Sequence, residues 1–239
     1  MHLFNPIALQ YKHLFIDLDD TVYDFTGNSR DTFAEVFSLL HYERFFSSFD
    51  EYFSIYMPHN TLLWARYGDG DITKEELNRL RFLYPLEVVE APDAAQLAAQ
   101  FCQMALERIP RGRKLMPHAK EALLYLQPRY HLYALTNGFR ELQERKMRSA
   151  EINHFFEKII LSEDIGVNKP HAPIFEYAFE VTGAAAANSL MIGDHFEVDI
   201  EGAAGVGMDQ VYYNHVGRKD LPFRPTYEIV SLEELKEIL

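Results

Sequence analysis

The chain has 239 residues, 48% of them hydrophobic and 25% charged, with a formal net charge of −13. That length can bury the core of one α/β domain and of a second, smaller one, and no apolar run comes near the roughly 18 residues of a membrane span. The acidic balance argues against a nucleic-acid polymer as the main partner, because phosphate backbones are bound by basic surfaces.

Residues 1–12 (MHLFNPIALQYK) lack the basic, then apolar, then small-residue order of a signal peptide, so the expected location is cytoplasmic. His13 to Leu18 (HLFIDL) reads as a strand buried in a parallel sheet, and it runs into the acids Asp17, Asp19 and Asp20. The next strand, His131 to Leu135, comes only after a long helical stretch. Residues 25–111 are therefore expected as a helical insertion into a core made of residues 1–24 and 112–239. At least four helices fit in the insertion, with Thr73 and Glu76 as a capping box and Asp93 with Gln96 as a similar pair. Pro58 should begin or break a helix, and Tyr67 to Asp71 (YGDGD) reads as a loop. The insertion is rich in aromatics, among them Tyr42, Phe46, Tyr52, Tyr56 and Trp64, which helix packing explains better than base stacking. Its single cysteine, Cys102, excludes a disulfide framework and a multi-cysteine metal site, and reads as a core residue.

Beyond the insertion the pattern alternates. A helix near His118 to Leu126 precedes the 131–135 strand, and a helix from Arg140 to Ala150 follows it. Then come a strand at Lys158 to Leu161, a helix opened by Pro173 and a strand at Leu190 to Ile192. A helix at Val198 to Ala204, a strand at Gln210 to Tyr213 and a last helix capped by Ser231 and Glu234 complete the order. Such alternation implies a doubly wound parallel sheet, a Rossmann-like α/β core carrying the α-helical insertion. Ligands of such sheets bind beyond the carboxyl ends of the strands.

Four polar clusters fall there: Asp17-Leu18-Asp19-Asp20-Thr21, Leu135-Thr136-Asn137-Gly138, Asn168-Lys169-Pro170 and Gly193-Asp194-His195-Phe196-Glu197-Val198-Asp199. In this order they resemble the haloacid dehalogenase (HAD) superfamily of phosphatases over nearly the whole chain, including a helical cap between the first and second motifs. Thr136-Asn137-Gly138 with Gln143 is similar to a subgroup that contains pyrimidine 5′-nucleotidases. The resemblance implies a Mg²⁺-dependent hydrolase of small phosphate esters, with Asp17 and Asp194 as metal ligands, the backbone carbonyl of Asp19 as a third, and Asp199 ligating directly or through water.

The residue chemistry agrees with that assignment. A carboxylate at Asp17 can attack phosphorus and form an aspartyl phosphate, splitting one hard displacement into two easier ones. Asp19 would protonate the leaving oxygen and then activate water. Lys169 and Thr136 would stabilise the transferring group, and Thr21, Asn137 and Gly138 are the expected substrate-binding positions. Crowding Asp17, Asp19 and Asp194 together is strongly repulsive without a dication. Gly138 and Gly193 look like places where the backbone turns tightly or approaches phosphate closely. Asp20, Asp24 and Glu197 read as solvated loop acids or caps, and His195 as a pocket-lining or structural residue.

Competing functions are weighed against the same residues. A dehalogenase of this fold needs neither Mg²⁺ nor an acid at Asp19. Phosphomutases tend to carry Gly-Val where Asp20-Thr21 stand, which favours hydrolysis, whether of nucleotides or of sugar phosphates. A phosphoacceptor receiver domain places its acids in another strand order and has no insertion, and a silent ligand-binding relative would not need the intact acid set.

Overall fold

The structure, a computed structural model, describes residues 11–239. The first ten residues of the segment read above for a signal peptide lie outside that range. Six strands form one parallel sheet in the order β3-β2-β1-β4-β5-β6. They are β1 (His13–Ile16), β2 (His131–Thr136), β3 (Lys158–Leu161), β4 (Ser189–Gly193), β5 (Asp209–Tyr213) and β6 (Tyr227–Ile229).

Period-two alternation sorts the strand residues onto two apolar faces. Leu14, Ile16, Leu132, Ala134, Leu190 and Ile192 pack on one face, with Ala122, Leu123 and Leu126 of helix α5 (Ala119–Leu126) and Met147 of α6 (Arg140–Ser149). Phe15, Tyr133, Leu135 and Met191 pack on the other, with Ile174, Phe175 and Ala178 of α7 (Ala172–Thr182) and Ala203 of α8 (Glu201–Gly205). Covering both faces is why these strands read as unbroken apolar runs, and each Leu or Ile so buried contributes about 1.5–3 kcal/mol.

Three local expectations change here. The first strand stops at Ile16 because the chain then turns. The Val22 and Tyr23 amides both donate to the Leu18 carbonyl, and Asp20 takes a left-handed φ of 61°. The expected helix at 198–204 is a π turn at Phe196–Ile200 followed by α8. Strand β6 was not expected: three residues are too few for periodicity to register, and pairing with β5 is what makes them a strand. The short closing helix α9 (Leu235–Ile238) follows a one-turn 3₁₀ segment whose capping box joins Ser231 and Glu234.

Residues 27–112 form a separate compact unit. It holds most of α1 (Phe25–Leu39), with α2 (Phe49–Gly68), α3 (Lys74–Val88) and α4 (Ala94–Arg108). Its core is aromatic: Phe33 meets Tyr56, Phe82 and Phe101 edge-on at 5.2–5.6 Å, and Tyr52 meets Phe101 at 5.3 Å. The Thr73–Glu76 capping box opens α3 as expected. Asp93 does not cap α4 with its side chain. It sits at φ 56°, and the Gln96 amide bonds the Asp93 carbonyl instead. Pro58 lies inside α2, contrary to expectation. It is on the exposed side of the helix, where an undonated carbonyl one turn back can be hydrated, while Tyr52, Tyr56 and Leu63 bury the opposite face. That helix also extends through Gly68, so the 67–71 loop begins later than its sequence suggests. Among the described residues no helix is long and apolar enough to cross a membrane.

Candidate active site

Strand register assembles the site. Ile16 is level with Ala134 of β2 and Ile192 of β4. The next residues, Asp17, the Thr136 end of β2 and Asp194 after Gly193, therefore emerge at one edge of the sheet. The Asp17 amide still donates to the Ile192 carbonyl at 2.9 Å, which fixes where the carboxylate starts.

Lys169 has no strand of its own, being in the loop before α7. Asn137 grips it instead: Asn137 Oδ1 accepts from the Lys169 amide at 2.8 Å and Nδ2 donates to the Lys169 carbonyl at 2.9 Å. Thus held, Lys169 Nζ donates to Asp17 Oδ1 at 2.7 Å, Asp199 Oδ1 at 2.6 Å and the Leu135 carbonyl at 2.7 Å, which uses all three ammonium hydrogens. Burial alone would lower the Lys169 pKa, but Asp17 and Asp199 outweigh it and hold the value above the usual lysine range. Burial pushes the Asp17 and Asp199 carboxyls up; Lys169 opposes this, and the neighbouring carboxylates add to it.

Asp17, Asp194 and Asp199 bring carboxylate oxygens within 4.8 Å of one another. Three acids against one ammonium leave a surplus of negative charge in a buried place, and an all-oxygen donor set of this kind suits a hard dication. Asp19 is not in that set, because its carboxylate is turned toward α6. Gly193 is required by this cluster, not by a turn. Its φ is not left-handed, but a β-carbon there would lie 2.3 Å from Asp199 Oδ2.

Thr21 departs from its expected role. It is wholly buried; its hydroxyl donates to Asp194 Oδ1 at 2.8 Å and accepts from the Asp194 amide at 3.0 Å, with Asp17 Oδ2 at 3.5 Å. With its hydroxyl occupied inside the protein, Thr21 orients the acids and does not face a substrate.

A second cluster surrounds Asp19. Gln143 Nε2 donates to Asp19 Oδ2 at 2.9 Å and to Thr136 Oγ1 at 2.8 Å, and Lys146 Nζ donates to Asp19 Oδ1 at 2.5 Å. Thr136 Oγ1 also accepts from the Gly138 amide at 3.1 Å. With both lone pairs taken, the Thr136 hydroxyl has its hydrogen left to donate. Gly138 is needed because a β-carbon there would sit 1.8 Å from Gln143 Nε2. Lys146 was not singled out from the sequence. It is 3% exposed, and its ammonium lies 4.6 Å from the Phe25 ring centre and 5.2 Å from that of Tyr23. The one available signal was its i+3 spacing from Gln143.

Asp20 and Glu197 serve as a capping group and an ion-pair partner. Asp20 accepts from the Thr26 amide and hydroxyl at 2.8 Å each, and burial pushes its carboxyl to about 6. Glu197 pairs with Arg218 at 2.6 Å. His195, with its side chain 60% exposed, accepts from the Val198 amide through Nδ1 and so caps the π turn.

A doubly wound sheet with an inserted helical unit and an acid cluster at the strand ends defines the class: the chain belongs to the haloacid dehalogenase-like hydrolases, whose family pattern matches residues 11–207. HAD-hydrolase YfnB of Bacillus subtilis is 32% identical over 232 residues, 96% of each chain. A crystal structure of YfnB bound to magnesium aligns with a TM-score of 0.81 at 30% identity, covering 96% of this chain and 98% of that one. The chain is also 29% identical to the pyrimidine 5′-nucleotidase YjjG of Escherichia coli, over 97% of this chain and 99% of that protein. It is 28% identical to the pyrimidine 5′-nucleotidase PynA of Streptococcus pneumoniae, over 96% and 95%.

Proposed function

We propose that this hydrolase cleaves small phosphomonoesters, with pyrimidine nucleoside 5′-monophosphates the first substrates to test. The observation that carries the reading is the division of labour between the two acids of the first motif. Asp17 is buried against Lys169, Asp194 and Asp199, whereas Asp19 is outside that cluster and keeps 28% of its side chain exposed. In this reading Asp17 is the charge-stabilised nucleophile and Asp19 the proton carrier.

An Asp17 carboxylate oxygen attacks phosphorus, the bond from phosphorus to the ester oxygen breaks, and Asp19 gives that oxygen its proton. Water then attacks the aspartyl phosphate, Asp19 takes a proton from it, and Asp17 and inorganic phosphate are regenerated. The Thr136 hydroxyl donates to a phosphoryl oxygen, and Lys169 balances its charge. Asp17, Asp194 and Asp199 would hold Mg²⁺, whose charge would offset that of the phosphoryl oxygens. Two similar proteins named as pyrimidine 5′-nucleotidases support the nucleotide choice. An acid at Asp19 favours phosphatase over dehalogenase chemistry, since the latter has no leaving alkoxide to protonate.

The test is a Mg²⁺-supplemented screen of nucleoside monophosphates and sugar phosphates, compared as kcat/KM. Phosphate release that stops with EDTA and favours pyrimidine nucleotides is expected. Turnover unaffected by EDTA would refute the metal reading, and a sugar-phosphate preference would refute the substrate.

A further inference from the structure

Asp19 is on a loop that has already left the sheet, and a half-open carboxylate there has several rotamers available. Two donors one turn apart on α6 remove that freedom by taking one oxygen each: Lys146 Nζ on Oδ1 at 2.5 Å and Gln143 Nε2 on Oδ2 at 2.9 Å. Both are themselves fixed. Gln143 is fully buried, Lys146 is seated against the Tyr23 and Phe25 rings, and the neighbouring Met147 is anchored in the sheet core. The same Gln143 amide donates to Thr136 Oγ1, so the acid and the hydroxyl beside it are set by one group. Space for that amide exists only because residue 138 lacks a β-carbon. Lys146 makes no contact with the Asp17–Lys169–Asp199 cluster, so charge balance there does not account for it.

We infer that Lys146, assisted by Gln143, is a positioning residue that aims the Asp19 carboxyl at the leaving oxygen, and that the pair therefore matters most for esters whose leaving group needs a proton. This rests on the phosphatase reading above. A nucleoside or other alkyl leaving group departs as a poor alkoxide and depends on proton delivery, whereas p-nitrophenolate leaves without one. A residue that acts through Asp19 must treat the two differently; one that only supports the fold must not.

The experiment compares kcat/KM of wild type, Lys146→Met, Asp19→Asn and the double variant on p-nitrophenyl phosphate and on a nucleoside 5′-monophosphate. This quantity reports the first displacement and not the later hydrolysis of the aspartyl phosphate. Lys146→Met is expected to lose about 30-fold on the nucleotide and less than about threefold on the aryl ester, a size comparable to the roughly 10–100-fold lost when outer-shell partners that orient metal ligands are removed. In the Asp19→Asn background the same change should cost less than about twofold, the non-additivity of residues acting as one unit. Equal losses on both esters, or a full additional loss in the Asp19→Asn background, would overturn the inference. Should Lys146→Met melt early, Gln143→Leu takes its place with the same expected preference for the aryl ester, and equal losses there overturn it as well. Wild-type protein that cleaves neither ester would instead bring down the phosphatase reading itself.

Discussion

Asp17 and Asp19 are two residues apart, each is held by a buried lysine, and the two lysines do opposite things. Lys169 spends every hydrogen on two carboxylates and a carbonyl, with its side chain 1% exposed, so Asp17 is locked into a network of charge. Lys146 donates to the Asp19 carboxylate and otherwise lies over aromatic rings, and the Asp19 side chain stays partly open. One cation makes a crowd of anions tolerable; the other fixes the direction of a single acid. Burial alone does not reveal a lysine's role. What distinguishes the two is the number of anions sharing each cation.

Breaking the first arrangement should be the more damaging. Asp17→Asn keeps the shape but turns the carboxylate proposed to attack phosphorus into a poorly nucleophilic amide, and a loss on the order of 10⁴-fold or more in kcat is expected for a nucleophile knockout. Near-normal turnover by that variant would end the mechanism. Lys169→Met strands Asp17 and Asp199 without their cation, and losing one partner of a buried pair costs about 3–5 kcal/mol. Thermal unfolding should show it as a large fall in Tm that added Mg²⁺ partly restores; an unchanged Tm would mean the carboxylates do not need the lysine.

The second arrangement should fail more gently. Gly138→Ala pushes its β-carbon into the Gln143 amide, so activity should fall about tenfold, with Gln143→Leu/Gly138→Ala no worse than Gln143→Leu alone. Additive losses would show that Gly138 matters for another reason. Smallest of all, His195→Ala removes an exposed cap from the π turn and should change kcat/KM by less than about twofold, with a stability loss near 1 kcal/mol. A larger kinetic change would make His195 a specificity residue.

The sheet was legible because its strands are apolar on both faces and end in polar clusters. Asp17, Thr136 and Asp194 stand at or just past strand ends and so draw attention by that pattern; Lys169, in the loop before α7, is singled out by its place in the ordered set of motifs. Lys146 could be found by neither. Its helix, RELQERKMRS, carries four basic residues, and nothing in the letters says which one is turned inward. Thr21 erred the other way: its place in a motif suggested contact with substrate, but whether a threonine faces a ligand or a neighbouring carboxylate depends on the turn that follows β1. Pro58 and Asp93 show tertiary packing and backbone conformation overriding local preference, as short-range signals allow.

The sheet order has a consequence for how the chain is made. β1 is at the middle of the sheet, yet its partners β2 and β4 begin at His131 and Ser189. On the ribosome β1 emerges before the other described strands, and the 114 residues 17–130 must follow it before its first neighbour begins. The helices of residues 27–112, whose contacts are closer in sequence, are complete in the meantime. Leu14, Phe15 and Ile16 thus lack their native strand partners throughout that interval, and an unpaired apolar strand is the kind of segment that pairs with other chains.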